Sequence, residues 1–551
     1  MRSKLILIAV ALLLLAALLT GRQQPPISRP VEQTAMVAMR DGVRLATYVY
    51  LPPGGGPAPV ILARTPYSKL AFAGAAEYFS KLGYAVVVQD VRGRFNSEGE
   101  NLPFEADGWW GHRDGYDTLE WIATQPWCNG KIGLSGGSAA GIAEILAAAS
   151  GSRRIACEWI AIAPLELYRA IYPGGIFKKA MIERWLAENQ FDADARRIWT
   201  AHPTYDRYWQ RRDPSRRLDR IDCPAIHLGG WFDIFQPGTI DAFVGFQSKA
   251  GPRARGAQKL VLGPWAHQIS FARTGELNFP GSGSPPGDLL NVLRWYDHYL
   301  KGLDNGIEKA PAVTYYVMGD VSDPAAPGNT WRTADSWPPF PTRATPFYLQ
   351  ADHSLSQRPE AGNRSLSYDY DPNHPVPTIG GPQLNLPSGP RDQRAIEGRA
   401  DLLVFTSEEL SQPMEITGRV SVELWASTDQ PDTDFFARLC DVYPDGRSFN
   451  ICEGGVRARL RESTTKAVAV EPNRPYRFNL DLWSTSLIIN RGHRLRLHIT
   501  SSSFPGYAAN PNSGVGYPRF VAPRPAHNTI YTGPSHPSRL LLPLATSSSA
   551  E

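Results

Sequence analysis

Residues 131–141 (KIGLSGGSAAG) carry the strongest chemical signal in the chain. A short apolar run leads into two glycines and a serine, and an alanine-rich stretch, 139–149, follows at once. This order is typical of a nucleophile elbow, in which a serine sits on a strained turn between a strand and a helix. Small neighbours let the chain bend, and the helix N-terminus favours negative charge that develops there. The stretch therefore predicts a serine hydrolase.

Two serines in this stretch could be the nucleophile. Ser135 fits the G-x-S-x-G string letter for letter, and Ser138 lies between small residues. The nucleophile must directly precede the helix, and the helical run begins at Ala139. Choosing Ser135 would place two glycines in the first helical turn, where glycine is costly. We therefore predict Ser138, and a glycine-rich loop without chemistry is the alternative from this motif alone.

An acid and a base follow Ser138 in the order found in α/β-hydrolases. Residues 224–233 indicate a buried strand that ends in a glycine turn and Asp233, and residues 259–267 indicate the next strand, followed by His267. Both side chains are expected just past strand ends, where open α/β sheets keep their sites. Asp233 would orient the imidazole, and His267 would take the serine proton and return it to the leaving group.

Several further motifs make the chain resemble the cocaine esterase and X-Pro dipeptidyl-peptidase (S15) family of CocE/NonD-type acyl hydrolases. They occur in family order over most of residues 35–545. The motifs are RTPY at 64–67, QDVRGR at 89–94, SEG at 97–99, GYDTLEWI at 115–122, QPWCNGKIG at 125–133, GWFD at 230–233, GPWAH at 263–267 and WYDHYLKG at 295–302.

The resemblance implies an acyl-enzyme on Ser138, with Asp233 as the acid and His267 as the base, and no metal or organic cofactor. It also implies an oxyanion hole formed by the Tyr67 hydroxyl and the backbone N–H of Ala139. The family usually has tyrosine directly after the nucleophile, where this chain has Ala139. The backbone donor is kept but the aromatic wall is lost. We therefore expect a roomier or differently shaped pocket and carry over no substrate preference.

Carboxylic esters are the predicted substrates, and two alternatives stay open. Within enzymes, the alternative is an X-Pro dipeptidyl-peptidase or acylase that cleaves amides. From another class, the alternative is a catalytically silent protein that binds a glycan or a partner through its C-terminal domain. Some family members bind a substrate amino group through carboxylates. Glu166, Glu183 or Glu188 could supply one, so amino-acid-type substrates remain open without support.

Strand-like runs alternate with helical stretches in the first part of the chain, which indicates a mostly parallel sheet with helices on both faces. The strand-like runs are 44–51, 60–63, 85–90 and 155–163, and the helical stretches include 118–123 and 139–149. We predict an α/β fold, a doubly wound α/β-hydrolase domain over residues 30–340.

A change of pattern between residues 165 and 221 predicts a helical cap inserted between nucleophile and acid. No strand-like run occurs there, and residues 176–186 and 199–211 look amphipathic. An ordinary helical layer is the alternative from the pattern alone, and the resemblance favours the cap. Such caps exclude water from the site and shape its specificity.

Apolar and polar residues alternate in the C-terminal part, at 420–424, 476–482 and 494–499. This pattern indicates antiparallel strands with one face on the core and one in water, and so a β-sandwich over residues 345–545. The resemblance implies that this domain is jelly-roll-like.

Residues 1–25 look like a signal peptide or an N-terminal membrane anchor. Arg2 and Lys4 precede an uncharged apolar run, 5–19, which is short for a full membrane span. The cleavage site is poor, so an uncleaved anchor is the alternative. In both cases we predict that the body is exported, to the periplasm or the cell exterior, and meets a membrane only through this segment.

The composition limits the number of domains, the kind of binding partner and the state of the cysteines. A chain of 551 residues, 42% hydrophobic and 20% charged, can form three or four domains. A net charge of +4 without basic runs argues against nucleic acid as a partner. The expected partner is a small-molecule ester or amide, and nothing indicates an oligomeric state. Cys440 and Cys452 could bridge across a hairpin, although buried free thiols are the favoured interpretation.

Other polar residues are interpreted as structural. His493 and His498 are expected at the surface of a strand, and His112 is expected to pack in a loop. An acidic group around 429–434 resembles a calcium loop but lacks its glycine and distal glutamate, so a solvated turn is expected. The acidic group consists of Asp429, Asp432 and Asp434. A second group, at the end of a predicted strand, is expected to form an ion-pair network and consists of Asp90, Arg92 and Arg94.

Overall fold

A computed structural model of the protein describes residues 31–514 and 521–546. Their first part contains a ten-stranded sheet and a small two-stranded hairpin. The strands, with the hairpin as β9 and β10, are β1 (Val31–Ala38), β2 (Arg44–Leu51), β3 (Ala58–Thr65), β4 (Ala85–Asp90), β5 (Cys128–Gly137), β6 (Ile155–Ala161), β7 (Ala225–Gly230), β8 (Lys259–Gly263), β9 (Arg273–Thr274), β10 (Leu277–Asn278), β11 (Val313–Val317) and β12 (Thr330–Ala334). The α-helices of this part are α1 (Ala73–Lys81), α2 (Asp114–Ala123), α3 (Ala139–Ala148), α4 (Leu167–Ile171), α5 (Lys179–Glu188), α6 (Ala193–Ala201), α7 (Arg207–Gln210), α8 (Gln236–Lys249) and α9 (Val292–Lys301).

The ten strands are hydrogen-bonded in the order β1-β2-β4-β3-β5-β6-β7-β8-β11-β12. Neighbours from β4 to β11 run parallel, and β1, β2 and β12 are antiparallel additions at the two edges. The predicted α/β-hydrolase-like sheet is therefore confirmed. β3 and β4 are buried at every residue, as expected where helices cover both faces of a parallel sheet.

Side chains of β3 alternate between two cores, because successive strand residues point to opposite faces. Val60 and Leu62 pack in the same cluster as Ile142 of α3, and Ile61 packs in the same cluster as Tyr296 of α9. Both faces of the sheet are thereby filled with apolar side chains. The parallel direction brings the carboxyl ends of β3, β5, β7 and β8 to one edge of the sheet.

Helices α4 to α7 lie between β6 and β7, in the stretch for which the sequence predicts a cap. Trp185 of α5 and Trp199 of α6 stack with Phe104, which precedes α2 in the sheet domain. Their ring planes are within 7° of parallel, and the centroids are 5.9 to 6.4 Å apart. This aromatic stack joins the inserted helices to the sheet domain.

The C-terminal part forms two antiparallel sheets, of seven strands and of four. Its elements are β13 (Thr342–Leu349), β14 (Leu355–Ser356), β15 (Arg364–Tyr370), α10 (Arg394–Glu397), β16 (Leu402–Thr406), β17 (Met414–Thr428), β18 (Asp434–Val442), β19 (Ser448–Arg457), β20 (Tyr476–Ile489), β21 (Arg494–Thr500), β22 (Ala526–Thr532) and β23 (Arg539–Ala545). β16, β18, β19 and β21 make the smaller sheet. Val422 and Leu480 of the larger sheet share one core with Leu439 and Leu497 of the smaller one. The prediction of an antiparallel C-terminal domain is confirmed.

The prediction that one face of these strands is wet is wrong for the smaller sheet. His498 is buried and its Nε2 lies 3.1 Å from Glu397 of α10. His493 is buried between Asp441, at 2.8 Å, and Asp320, at 3.3 Å. The segment around α10 lies over this sheet, and its Glu397 carboxylate accepts hydrogen bonds from the polar side chains of Arg496 and His498.

The acidic turn at 429–434 also differs from its prediction. Asp429 is exposed, but Asp432 and Asp434 are buried because the guanidinium of Arg457 and the amide of Asn510 satisfy their oxygens. The loop residue His112 is exposed rather than packed, and its Nδ1 lies 2.7 Å from the Asp41 carboxylate.

Cys440 and Cys452 are buried free thiols. A bulge offsets β18 against β19, so that Cys440 lies opposite Asn450 and Cys452 lies opposite Leu439. The predicted signal or anchor segment, residues 1–25, lies outside the described residues. Among the helices of residues 31–514 and 521–546, none has both the length and the apolar character that a membrane span requires.

Candidate active site

Ser138 occupies the turn between β5 and α3, with φ 55° and ψ −126°. A non-glycine residue in this region is strained by about 1–3 kcal/mol, and such strain collects at functional sites. The turn is tight enough that a Cβ atom on Gly136 would come within 2.6 Å of the Ala140 backbone. The Ser138 N–H donates to the Ala161 carbonyl at 2.9 Å, which ties the turn to β6. The strand-turn-helix geometry predicted for Ser138 is present.

Ser135 lies within β5 and pairs with Trp159 of β6 in the parallel ladder. Its backbone is therefore part of the sheet rather than of the turn. The serine of the literal G-x-S-x-G match thus lies inside the strand, three residues before Ser138. Of the two serines, only Ser138 lies directly before the helix.

The three residues predicted as a triad lie in hydrogen-bond contact. The Ser138 hydroxyl is 2.8 Å from His267 Nε2, and His267 Nδ1 is 2.6 Å from Asp233 Oδ2. Asp233 is fully buried just after β7, and its Oδ1 accepts the Phe235 N–H at 2.8 Å. A carboxylate fixed in this way holds the imidazole with Nε2 towards the serine.

Tyr67 follows β3, and its hydroxyl reaches the same place. The Trp185 indole N–H donates to it at 3.0 Å, Ser138 and Ala139 line the same pocket, and the nearby polar groups act to lower its pKa. Burial outweighs these contacts and raises the pKa of Tyr67 above its usual value. The phenol therefore keeps its hydrogen and can donate it to an oxygen held beside Ser138 and Ala139.

Buried charges hold the turn that carries Tyr67. Asp90 accepts the Lys69 backbone N–H at 2.6 Å and its ammonium at 2.7 Å. Arg94 donates to the Pro66 carbonyl at 3.0 Å. Arg92, the third member of the predicted network, pairs instead with Asp114 and Asp41. These residues support the site and do not contact its reacting atoms.

An apolar pocket with an empty volume of about 410 Å³ opens beside Ser138. Besides Tyr67, Ser138 and Ala139, it is lined by Phe104, Ile142, Leu167, Ala170, Ile171, Met181, Ile182, Trp185, Trp199, Ile234, Phe235 and Leu384. Most of these wall residues belong to the inserted helices, and Leu384 comes from the C-terminal part. The sequence gives no local signal for Leu384, whereas Trp185 falls within the stretch 176–186 that looks amphipathic.

None of the three candidate carboxylates lines this pocket. Glu183 pairs with Lys179, and Glu188 pairs with Arg184 at 2.6 Å. Glu166 is half-buried and does not line the pocket, and burial raises its pKa to about 8. Among the described residues, no three or more His, Cys, Asp or Glu side chains are grouped to hold a metal ion.

Comparison with known families matches two models to the chain. The model for X-Pro dipeptidyl-peptidase (S15 family) matches residues 41–197 and 183–269. The model for the X-Pro dipeptidyl-peptidase C-terminal non-catalytic domain matches residues 305–541. The first covers the nucleophile, acid and base positions, and the second covers the two antiparallel sheets.

Individual proteins resemble the chain over nearly its whole length. Cocaine esterase of Rhodococcus sp. (strain MB1 Bresler) is 34% identical, over 93% of this chain and 98% of that protein. An aminopeptidase from a marine sediment archaeon, Thaumarchaeota archaeon, has a solved structure with a TM-score of 0.80 at 25% identity, covering 96% of this chain and 99% of that one. The solved structure of an α-amino acid ester hydrolase gives 0.76 at 26% identity, covering 96% and 99%.

Proposed function

The chain belongs to the cocaine esterase and X-Pro dipeptidyl-peptidase (S15) family of serine hydrolases, and on this basis we propose that it cleaves carboxylic esters through an acyl-enzyme on Ser138. The hydrogen-bonded line from Ser138 through His267 to Asp233 carries the proposal. Ser138 lies at the wall of an apolar pocket, and Tyr67 and Ala139 line the same pocket.

Acylation follows from the geometry. His267 Nε2 takes the proton of the Ser138 hydroxyl at 2.8 Å while the oxygen attacks the ester carbonyl carbon. The Tyr67 hydroxyl and the Ala139 N–H donate to the oxyanion that forms. Asp233 stabilises the imidazolium, which then protonates the leaving alcohol oxygen. The acyl group remains on Ser138.

Deacylation repeats these steps with water as the nucleophile. His267 takes a proton from the water molecule, whose oxygen attacks the acyl carbon. The second oxyanion uses the same two donors, and its collapse returns the proton to Ser138. The carboxylic acid leaves and the resting enzyme is restored.

The pocket favours esters over substrates that carry a free amino group. Carbon atoms dominate its wall, and none of Glu166, Glu183 and Glu188 faces it. An ammonium group would lose its hydration there without gaining a carboxylate partner. Amide cleavage is the second candidate, because the aminopeptidase with a TM-score of 0.80 shares this architecture.

The test measures release of nitrophenol from short- and medium-chain esters by the unmutated protein and two serine variants. We expect Ser138→Ala to lower kcat by about 10³-fold or more, since the nucleophile is lost. Ser135→Ala is the matched control and should keep activity. Loss of activity with Ser135→Ala alone would refute the assignment. X-Pro nitroanilides form the amide arm, and turnover of these without any ester turnover would establish the second candidate.

A further inference from the structure

The hydroxyl of Tyr67 accepts a hydrogen bond that the reaction itself does not require. Its donor is the indole Nε1 of Trp185, 3.0 Å away on α5. An indole nitrogen can only donate, so the Tyr67 oxygen must be the acceptor. The phenolic hydrogen of Tyr67 therefore takes no part in the hydrogen bond with Trp185. It is left to donate on the side where Ser138 and Ala139 lie.

Trp185 is held in place by rings on two sides of the site. It stacks on Phe104 with centroids 5.9 Å apart and on Trp199 with centroids 6.3 Å apart. Phe191 packs against it at 4.9 Å. Parallel stacking of this kind fixes the plane of the indole and hence the direction of its N–H bond. The donor is preorganised before any substrate arrives.

We propose that Trp185 is a positioning residue for the oxyanion hole. By donating to Tyr67, it directs the phenolic hydrogen towards the substrate carbonyl oxygen and makes the hydroxyl a stronger donor, since hydrogen bonds in a chain polarise one another. The effect grows as negative charge develops on that oxygen, so it acts on kcat more than on KM. The inference rests on the proposed ester hydrolysis through Ser138.

The experiment replaces Trp185 by phenylalanine in the full-length protein. Trp185→Phe keeps an aromatic ring in the stack and removes the N–H donor together with part of the indole that lines the pocket. We expect kcat for nitrophenyl esters to fall about 5- to 30-fold, with KM changed less than about 3-fold. An arylboronate, which forms a tetrahedral adduct on Ser138 and places an oxygen in the hole, should bind more weakly by a similar factor.

A matched control and a double variant separate this role from a structural one. Trp331→Phe removes an indole donor to the Gly281 carbonyl at 3.0 Å, on edge strand β12, and should leave kcat unchanged. Trp185→Phe added to Tyr67→Phe should cause no further fall in kcat, because the hydroxyl through which Trp185 acts is gone.

Two results would overturn this proposal while the proposed function stands. The first is an unchanged kcat in Trp185→Phe when the unmutated protein hydrolyses esters. The second is a fall in kcat in the double variant that equals the product of the two single effects. Absence of ester turnover by the unmutated protein would instead overturn the proposed function and this inference together.

Discussion

The carboxyl edge of the parallel sheet and the sandwich beside it use charge in different ways. At the sheet edge, one buried carboxylate, Asp233, serves one imidazole, and the pocket wall next to it is apolar. In the sandwich, Arg457 and Asp434 form a buried bidentate pair at 2.9 and 3.0 Å. Arg438 and Glu453 form a second buried pair at 2.8 Å. Charge orients an imidazole in the first region and joins the adjacent strands β18 and β19 in the second.

The two regions meet where the segment before α5 contacts β19. Ile176 packs with Phe436 and Tyr507 of the C-terminal part. A Cβ atom on Gly174 would come within 1.8 Å of the Gly455 carbonyl oxygen, so the backbones touch there. The strands that carry the buried pairs therefore contact the segment that leads into α5. Loss of charge should therefore impair catalysis at the sheet edge and stability in the sandwich.

Asp233→Asn tests the catalytic side and should have the largest effect. An asparagine amide can donate to Nδ1 and so favours the wrong tautomer of His267, which can then no longer accept the serine proton. We expect kcat to fall about 10³- to 10⁴-fold, with little change in the unfolding midpoint. Ester assays and thermal unfolding measure the two quantities. A fall of less than tenfold would remove Asp233 from its assigned role.

Arg457→Met tests the structural side. It leaves the Asp434 carboxylate buried without its bidentate partner, which typically costs about 3–5 kcal/mol in the free energy of unfolding. Chemical denaturation measures this loss, and kcat per folded molecule should be kept. The control is Arg474→Met, whose pair with Glu471 is exposed and should change stability little. Equal effects of the two variants would contradict the distinction between buried and exposed pairs.

Lys178→Met tests a buried charge at the junction of the two regions. The Lys178 ammonium is fully buried and donates to the Pro382 carbonyl at 2.8 Å. Burial lowers its pKa from 10.5 to about 8, although Glu453 and Asp233 act in the opposite direction. Between these two values the unfolded chain binds more protons than the folded one, so the lysine protein gains stability as the pH rises.

The variant lacks this charge and should be the more stable protein at pH 7, by about 2 kcal/mol. Its advantage should shrink as the pH rises above 8 and be lost before pH 10.5, because the whole shift in pKa is worth about 3 kcal/mol. Denaturant titrations of both proteins at pH 7 and pH 10 measure the difference. A constant difference across this range would show that Lys178 is not held in a shifted state.

The sequence predicts positions well at the sheet edge and less well in the C-terminal sandwich. Ser138, Asp233 and His267 each follow a strand of a parallel sheet, so local patterns place them at one edge, and chain order predicts their roles. Alternation in β21 shows correctly which residues share a face, but not that a second layer covers that face. The pattern therefore predicts that His498 lies in water, although the structure buries it. Leu384 reaches the pocket from the C-terminal part, and such a contact between distant segments leaves no signal in the local sequence pattern.

Leu384 gives the C-terminal part a share in the pocket wall. The Lys178 ammonium holds the neighbouring Pro382 carbonyl, and Arg184 donates to the Asn385 carbonyl at 3.1 Å, so both sides of this residue are tied to the inserted helices. Exchanging the C-terminal part between relatives would thus transplant one wall of the substrate site and leave the nucleophile untouched. Such modular exchange gives evolution, or an engineer, a route to new selectivity that bypasses the catalytic residues.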